Sequence, residues 1–175
     1  MLILDENKTK ADMKQIERVY KENFSQDERI PLWLFKSRSK KEFVRLFSIY
    51  NESQWIGFTY VIRNKDTALV RYLAIDQKFQ GQGFGGKALE QLTRTFHKKH
   101  ICLMVGPLKE KQSQYRQFYL DHKFEKSNFM LKKSNALYEV VQFGDKLTGM
   151  ELTQALDKFN GPLLKLRSRT QVIKM

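Results

Sequence analysis

Four glycines fall within six residues, at the point where a β-rich segment gives way to one with helical periodicity. They are Gly81, Gly83, Gly85 and Gly86, in the run GQGFGG between ALVRYLAID (68–76) and KALEQL (87–92). Because glycine has no Cβ, backbone N–H groups there can converge on an anion. A helix that begins at such a turn also directs its positive end at the same charge. The spacing therefore predicts a phosphate-binding turn.

The glycines at 81, 83 and 86 also satisfy G-x-G-x-x-G, the fingerprint of a dinucleotide-binding turn. That fold needs an acidic residue about twenty residues later, at the end of the next strand, and several further βα units. Here the next strand ends in Val-Gly-Pro at 105–107, and one more βα unit follows before a hairpin. Lys87 is followed by Ala88, so the lysine–hydroxyl pair of a P-loop is missing as well. Both nucleotide-binding interpretations are disfavoured.

The turn fits a different pattern when it is taken from Gln80. The run Gln80-Gly81-Gln82-Gly83-Phe84-Gly85 matches Q/R-x-x-G-x-G/A and follows a strand that ends Leu73-Ala74-Ile75-Asp76. Over about residues 10–145, and most closely over 70–92, the sequence resembles the GNAT family of acetyl-CoA-dependent N-acyltransferases. The resemblance implies an α/β fold with a central mixed sheet flanked by helices. It also implies acetyl-CoA as co-substrate and a primary amine as acceptor.

The same resemblance implies where the cofactor binds. The backbone of Leu73, Ala74 and Ile75 is expected to hydrogen-bond the pantetheine arm, and the amides from Gln80 through Gly86 are expected to hold the pyrophosphate. Lys87 can add positive charge. The expected cofactor-binding residues are Leu73, Ala74, Ile75, Gln80, Gly81, Gln82, Gly83, Phe84, Gly85, Gly86, Lys87, Tyr115 and Phe118.

A second family motif, N-x-x-A-x-x-F-Y-x-x-x-G-F, corresponds to Gln112-x-x-Tyr115-x-x-Phe118-Tyr119-x-x-x-Lys123-Phe124. The Phe-Tyr pair and the last Phe agree with the motif, whereas Gln112, Tyr115 and Lys123 depart from it. Tyr119 falls where the family often has the general acid that protonates the departing thiolate of coenzyme A. The alternative is that Tyr119 simply packs beside Phe118. His122, one turn later, is either a relay or a residue of the helix surface.

A general base is needed because an amine must be neutral to attack a thioester. Many relatives carry an acid on the strand before the glycine turn or on the next strand, but Val70-Arg71-Tyr72 and Leu103-Met104-Val105 contain none. Glu28 is therefore the first candidate and Asp27 the second. That both are surface charges near Arg29 is an equally good interpretation.

The acceptor is not identified by the sequence. By family analogy residues 24–36 and the closing strands form its pocket, and Phe24, Trp33, Phe35 and Phe129 are candidates for an apolar wall, although core packing accounts for most aromatic residues. The net charge of +13, from 32 bases and 19 acids, favours an acceptor with a carboxylate or phosphate, or a protein terminus near RNA. The alternative function is a non-catalytic module that binds coenzyme A, nucleic acid or the ribosome.

The composition is that of a globular domain, with 175 residues, 41% hydrophobic and 13% aromatic. No apolar run approaches the roughly 20 residues of a membrane span, so neither a membrane partner nor a location other than the cytoplasm is expected. One cysteine and three histidines predict neither a disulfide nor a metal site. Nucleic acid is a less favoured partner, and a homodimer is left open.

Hydrophobic periodicity predicts the element order β-α-α-β-β-β-α-β-α-β-β-α. Hairpins come first and a β-α-β-α unit follows, so the sheet should be mixed. We expect one acetyltransferase domain over residues 1–160, with its last helix stopped by Asn160-Gly161-Pro162. Residues 161–175 are then a basic tail.

Overall fold

A computed structural model describes residues 1–97, 99–107, 113–133, 136–165 and 170–175 of the chain. Within these ranges it contains eight strands, five α-helices and a short 3-10 helix at Gln77–Phe79. The strands are β1 Leu2–Asp5, β2 Val44–Asn51, β3 Gln54–Asn64, β4 Thr67–Ile75, β5 His100–Pro107, β6 Glu125–Lys133, β7 Ala136–Phe143 and β8 Thr170–Lys174. The helices are α1 Lys10–Asn23, α2 Leu32–Ser39, α3 Phe84–Thr95, α4 Ser113–Asp121 and α5 Gly149–Lys165.

The eight strands form one sheet in the order β1-β2-β3-β4-β5-β7-β6-β8. β4 pairs in parallel with β5, from Thr67 opposite His100 to Val70 opposite Leu103. β7 pairs antiparallel with both β5 and β6, and β1 pairs antiparallel with β2. The mixed α/β sheet expected from the sequence is therefore confirmed. The chain divides into two compact units, Met1–Val61 with Arg71–Thr95, and Ile62–Val70 with Phe96–Met175.

The first unit is built around aromatic side chains that α1, α2 and the long strands bury together. Thr9 and Asp12 form the capping box that starts α1. Ile16, Val19 and Tyr20 form the buried stripe of this helix. Tyr20 packs on Phe35 and on Tyr72, with ring centroids 4.7 and 4.9 Å apart. The other rings of this cluster are Phe24, Phe58 and Tyr60.

The second unit buries β5 and one face of α5. Leu152, Ala155 and Phe159 on α5 are buried, and Thr148 and Glu151 form the predicted capping box at its start. Cys102 on β5 is also buried, and desolvation, with the nearby charge of Glu151, raises the pKa of its thiol to about 12.

The end of the chain differs from the prediction. α5 is interrupted at Gly161, whose φ of 63° breaks the helix where the sequence placed its end, but helical turns resume and run to Lys165. Residues 170–174, expected to belong to a basic tail, form strand β8 and pair antiparallel with β6. The segment TQVIK is short, half polar and lies at a sheet edge, so its pattern alone did not distinguish it from a tail.

Two further findings concern the described residues alone. None of their helices is both long and apolar enough to cross a membrane. No group of three or more histidine, cysteine or acidic side chains among them is arranged to hold a metal ion.

Candidate functional site

The glycine turn is anchored at its start by Asp76, the residue that follows β4. Its side chain is buried, accepts a hydrogen bond from the Arg18 guanidinium and caps the 3-10 helix by accepting from Lys78 N at 3.1 Å. Its amide donates to Ile56 O at 2.8 Å. Burial opposes ionisation of this carboxyl, but the hydrogen bonds and positive charges of Arg18 and Lys78 outweigh it and lower its pKa. Asp76 therefore fixes the point at which the chain leaves the sheet.

Two glycines of the turn have backbone conformations that favour glycine. Gly81 and Gly83 have φ values of 74° and 78°, in the left-handed region. A Cβ built on either would meet no atom within 4 Å. These glycines are therefore required by the path of the backbone and not by crowding, and the space beside them is open to a ligand.

α3 begins immediately after Gly83, because the Lys87 amide donates to Gly83 O at 3.2 Å. A glycine at this position has no side chain with which to cap the helix. The first N–H groups of a helix have no partner within it, and they carry the positive end of the helix dipole. The amides at 84–86 therefore present donors to an anion at the glycine turn.

The two glutamines of the motif hold the turn together. Gln80 Nε2 donates to Ile75 O at 2.8 Å and to Asn23 Oδ1 at 3.0 Å, and Gln82 Nε2 donates to Lys78 O at 3.1 Å. The Gln80 amide donates to Gln77 O at 3.3 Å, within the 3-10 turn. These interactions show that Gln80 stabilises the turn. Because its own amide is already hydrogen-bonded, the amides from Gly81 onward are the better donors to an anion.

Lys87 supplies a mobile positive charge on the first turn of α3. The residue is exposed, and its Nζ lies 5.4 Å from the centroid of the Phe84 ring. A cation–π contact of this kind at an exposed site contributes on the order of 1 kcal/mol or less. The ammonium group can therefore leave the ring for a phosphate at low energetic cost.

β4 carries the backbone expected to bind the pantetheine arm. Leu73, Ala74 and Ile75 lie beyond Val70, where the ladder with β5 ends. A Cβ on Gly57 of β3 would lie 2.3 Å from Ala74 O, so only glycine permits this close approach of backbones. Thr59 Oγ1 also donates to Tyr72 O at 3.0 Å. β3 thus holds β4 in position up to the glycine turn.

Tyr119 lies in the second unit, near the end of α4. Its ring is half-buried and contacts Phe118 and Phe124, with centroid separations of 5.3 and 6.2 Å. Burial, and to a lesser extent Tyr115, raises the pKa of its phenol to about 12. Among the described residues, the Tyr119 hydroxyl has no hydrogen-bond partner.

The neighbours of Tyr119 differ in exposure. Phe118 is half-buried against His122, whose Nδ1 lies 2.7 Å from Phe118 O, whereas Tyr115 is 65% exposed. Gln112, at the start of the same motif, lies outside the described residues.

The candidate base lies in the first unit with the glycine turn. The Glu28 carboxylate accepts hydrogen bonds from Ser25 N at 2.9 Å and Ser25 Oγ at 2.8 Å. The backbone carbonyl of Glu28 accepts from the Tyr72 hydroxyl at 3.1 Å. Glu28 therefore has a local structural role, and Asp27 beside it is exposed.

The four aromatic residues expected at an acceptor wall have different environments. Phe35 is fully buried in the aromatic cluster, and Trp33 is 69% exposed. Phe24 is half-buried against Tyr72, and Phe129, in the other unit, is half-buried as well. Of these four residues, only Phe24 both belongs to the aromatic cluster and remains partly accessible, at the loop before α2.

Two tyrosine hydroxyls near this loop were missed by the sequence analysis. Tyr20 Oη accepts from Ile30 N at 2.8 Å and donates to Ile30 O at 3.1 Å, and Tyr72 Oη lies 3.3 Å from Ile30 N. Burial raises the pKa of the Tyr20 phenol well above its usual value, so the Tyr20 hydroxyl stays neutral. The local periodicity of the sequence places Tyr20 on an apolar helix face. That periodicity contains no signal for the contact of Tyr20 with Ile30, ten residues later.

The structure thus brings the expected turn residues, the end of β4 and Glu28 into one compact unit. Tyr115, Phe118 and Tyr119 share a helix in the other unit.

A family model matches the part of the chain that carries these elements. Residues 42–126, which contain the glycine turn and Tyr119, match the family model of the acetyltransferase (GNAT) domain. No curated protein matches the chain significantly.

Solved structures share the fold. A protein from the GNAT family of Bacteroides thetaiotaomicron is 18% identical, with a TM-score of 0.69 over 91% of this chain and 95% of that one. The ribosomal-protein-S18-alanine N-acetyltransferase of Escherichia coli is 17% identical, with a TM-score of 0.60 over 85% and 99% of the two chains. A GNAT family acetyltransferase of Elizabethkingia anophelis with acetyl-CoA bound is 12% identical, with a TM-score of 0.56 over 83% and 97%.

Proposed function

We propose that this chain, whose residues 42–126 match the acetyltransferase (GNAT) domain, is a GNAT acetyltransferase that transfers an acetyl group from acetyl-CoA to a primary amine by direct attack. The observation that carries this proposal is the start of α3, which no side chain caps, preceded by two glycines in the left-handed region with open space beside them. A turn that served only to join a strand to a helix would need neither the uncapped amides nor that space.

In this proposal the cofactor binds along the first unit. The amides at 81–86 hold the pyrophosphate and Lys87 adds positive charge, which is the arrangement that helix N-termini commonly offer to phosphates. The backbone of Leu73–Ile75 hydrogen-bonds the pantetheine arm. Tyr115 and Phe118 contribute from α4, and the exposure of Tyr115 makes it the less favourable of the two.

The reaction forms a C–N bond and breaks the C–S bond of the thioester. A neutral amine attacks the carbonyl carbon, the tetrahedral intermediate collapses, and the amide and coenzyme A are released. One proton leaves the nitrogen, and one proton reaches the sulfur. The chain must therefore supply an acceptor for the first proton and a donor for the second.

Tyr119 is the proposed donor. Its phenol, with a pKa of about 12, is neutral at every physiological pH and can donate a hydrogen bond to the sulfur. A thiol has a pKa of about 8.5, so complete transfer from this phenol to the thiolate is uphill by roughly 5 kcal/mol. Tyr119 therefore stabilises the developing thiolate mainly as a hydrogen-bond donor.

Glu28 is the proposed acceptor of the amine proton, acting directly or through water. Glu28→Gln should lower kcat and leave stability unchanged, because glutamine retains an oxygen that accepts from Ser25. Asp27→Asn is the matched control, since it removes the neighbouring exposed carboxylate. If the two variants have equal turnover, or if Asp27→Asn alone is impaired, Glu28 is not the base.

The net charge of +13 supports a second candidate, a basic module that binds nucleic acid on the same fold. Such binding weakens steeply with salt, whereas recognition of coenzyme A by backbone amides depends less on ionic strength.

The test of the proposed function is a continuous assay of thiol release from acetyl-CoA with a panel of primary amines. We expect amine-dependent release of coenzyme A, with the acetylated amine identified by mass spectrometry. Hydrolysis that is independent of amine, or no release with any member while acetyl-CoA binds, would favour the non-catalytic alternative.

A further inference from the structure

A pocket of about 280 Å³ lies in the first unit, between the end of α1 and the start of α2. Two of its residues are basic, and none is acidic. It is lined by Tyr20, Lys21, Gln26, Arg29, Ile30, Pro31 and Leu32. Its volume is smaller than that of a typical drug-sized ligand site, so it suits a small group and a short carbon chain.

Arg29 is the unusual member of this lining. Its Nε is buried and has no hydrogen-bond partner, and none of the ion pairs among the described residues includes its guanidinium. The nearest acid in sequence, Glu28, is engaged by Ser25. A buried guanidinium N–H without an acceptor costs free energy, and a planar oxyanion is the group that satisfies its forked donors best.

The local helices contribute charge of both signs. α2 begins at Leu32 after Pro31, without a side-chain cap, so its positive end lies at the pocket wall. At the end of α1, Asn23 Nδ2 donates to Val19 O and the Phe24 amide donates to Tyr20 O, so these two carbonyls are already hydrogen-bonded. The positive charges at the pocket are those of its lining residues Arg29 and Lys21 and of the start of α2.

The backbone beside Arg29 is held in place by the Tyr20 hydroxyl. Ile30, the next residue, is clamped through both its N–H and its C=O by the Tyr20 hydroxyl. The Arg29 amide donates to Ser25 O at 3.1 Å. These hydrogen bonds fix the backbone that carries the Arg29 side chain, so less entropy is lost on ligand binding than for a residue on a mobile loop.

We propose that this pocket binds a small oxyanion, a carboxylate or phosphate, with the Arg29 guanidinium as its principal contact and Lys21 as a second charge. This inference rests on the proposed function in one respect: it assigns the oxyanion to the acceptor, which is then an amine that also carries an acidic group. The overall basic charge acts in the same direction by attracting anionic substrates.

The experiment follows the arginine Nε–Hε signals of the 175-residue chain by ¹⁵N–¹H NMR at mildly acidic pH. Arg29→Lys identifies the Arg29 signal by its loss. Sodium propionate and inorganic phosphate are titrated separately at matched ionic strength, and Arg45, whose guanidinium pairs with Glu6, serves as the internal control. We expect a saturable shift of the Arg29 signal with at least one of the two anions, and no saturable shift of the Arg45 signal.

Substitutions measure the contribution of each charge. We expect Arg29→Gln to lower the anion affinity by about tenfold to a hundredfold, because the guanidinium donates charge-assisted hydrogen bonds to the anion. Lys21→Gln should lower the affinity severalfold, because it removes only one exposed charge. Arg45→Gln should leave it unchanged. Backbone amide spectra of each variant verify that the fold is retained.

A repeat titration with saturating coenzyme A distinguishes the sources of the oxyanion. An Arg29 shift that persists supports an acceptor group, and a shift that disappears assigns the pocket to a cofactor phosphate and overturns the acceptor assignment. Equal, non-saturable shifts of Arg29 and Arg45 with both anions would overturn the site itself. If coenzyme A does not bind but Arg29 titrates, the proposed function fails while the anion site stands.

Discussion

In the proposed mechanism, the Tyr119 side chain is the hydrogen-bond donor to the departing thiolate. The rings of Phe118 and Phe124 hold it, and its hydroxyl contributes nothing to the described hydrogen bonds of α4. A phenol in this setting costs little to remove structurally, because no partner is left unsatisfied. A change in turnover when the hydroxyl is removed would therefore report on the acetyl transfer step and not on the stability of the fold.

We expect Tyr119→Phe to lower kcat by about tenfold to a hundredfold, at the lower end of what a positioned acid contributes, because the raised pKa limits proton transfer. The dissociation constant of acetyl-CoA should not change. Steady-state thiol release and isothermal titration calorimetry measure the two quantities. Asp121→Asn is the control, since that residue is exposed on the same helix and has no proposed role in binding or catalysis. Unchanged turnover in Tyr119→Phe would remove it from the mechanism.

At the residue scale the sequence predicted the side chains that belong to a contiguous motif. The turn residues and their positive φ angles follow from the glycines themselves. Arg29 and the clamp that Tyr20 forms on Ile30 could not be predicted, because they depend on contacts between segments that no local spacing encodes. The sequence could name Glu28 as an acid near the acceptor loop, but not its hydrogen bonds to Ser25.

The elements that position the site are β3, β4 and α1. β3 approaches β4 most closely at Gly57, and α1 reaches the end of β4 through the pair formed by Arg18 and Asp76. Periodicity predicted the order of the helices and strands before residue 160, because their apolar stripes are strong local signals. β8 was missed, because an edge strand of five residues owes its structure to pairing with β6.

Gly57→Ala tests the close approach of the two strands. Its Cβ would lie 2.3 Å from a backbone oxygen, so β4 must shift at Ala74. We expect a loss of about 1–3 kcal/mol in the free energy of unfolding, measured with urea, and a weaker affinity for acetyl-CoA.

Gly149→Ala is the control for this substitution. Its Cβ would meet the Phe129 ring at 3.0 Å, and a side chain can move where a backbone carbonyl cannot. Equal stability of the two variants would contradict the role assigned to Gly57.

The Asp76 carboxyl predicts a pH dependence of stability. Its pKa in the folded protein lies below the ordinary value of an aspartate, so its contribution to the free energy of unfolding is complete above that ordinary value and is lost as the pH falls through the lower folded pKa. Urea unfolding of Asp76→Asn should therefore show a weaker loss of stability than the wild type as the pH is lowered through this range. Glu90→Gln, which breaks an exposed pair with Arg94, should retain the wild-type pH dependence. Parallel curves for Asp76→Asn and wild type would contradict this account.

At the scale of the whole molecule, a basic protein whose residues 42–126 match the acetyltransferase (GNAT) domain has the glycine turn and a pocket lined by two basic residues within one compact unit. The charge attracts any polyanion, so charge alone does not distinguish a cofactor from nucleic acid. We expect the turn to favour the cofactor, because backbone amides at a fixed helix start bind a phosphate group by its position as well as by its charge.

The most direct test of the central claim is thermal unfolding with acetyl-CoA, coenzyme A, NAD and a short RNA, each in excess at matched ionic strength. A ligand at about one hundred times its dissociation constant adds roughly 2.7 kcal/mol, which raises the Tm of a domain of this size by about 5 to 10 °C. We predict that shift with acetyl-CoA and coenzyme A, not with NAD, and its loss in Gly83→Glu. Stabilisation by RNA alone, or by none of the four, would contradict the claim that the glycine turn binds the cofactor.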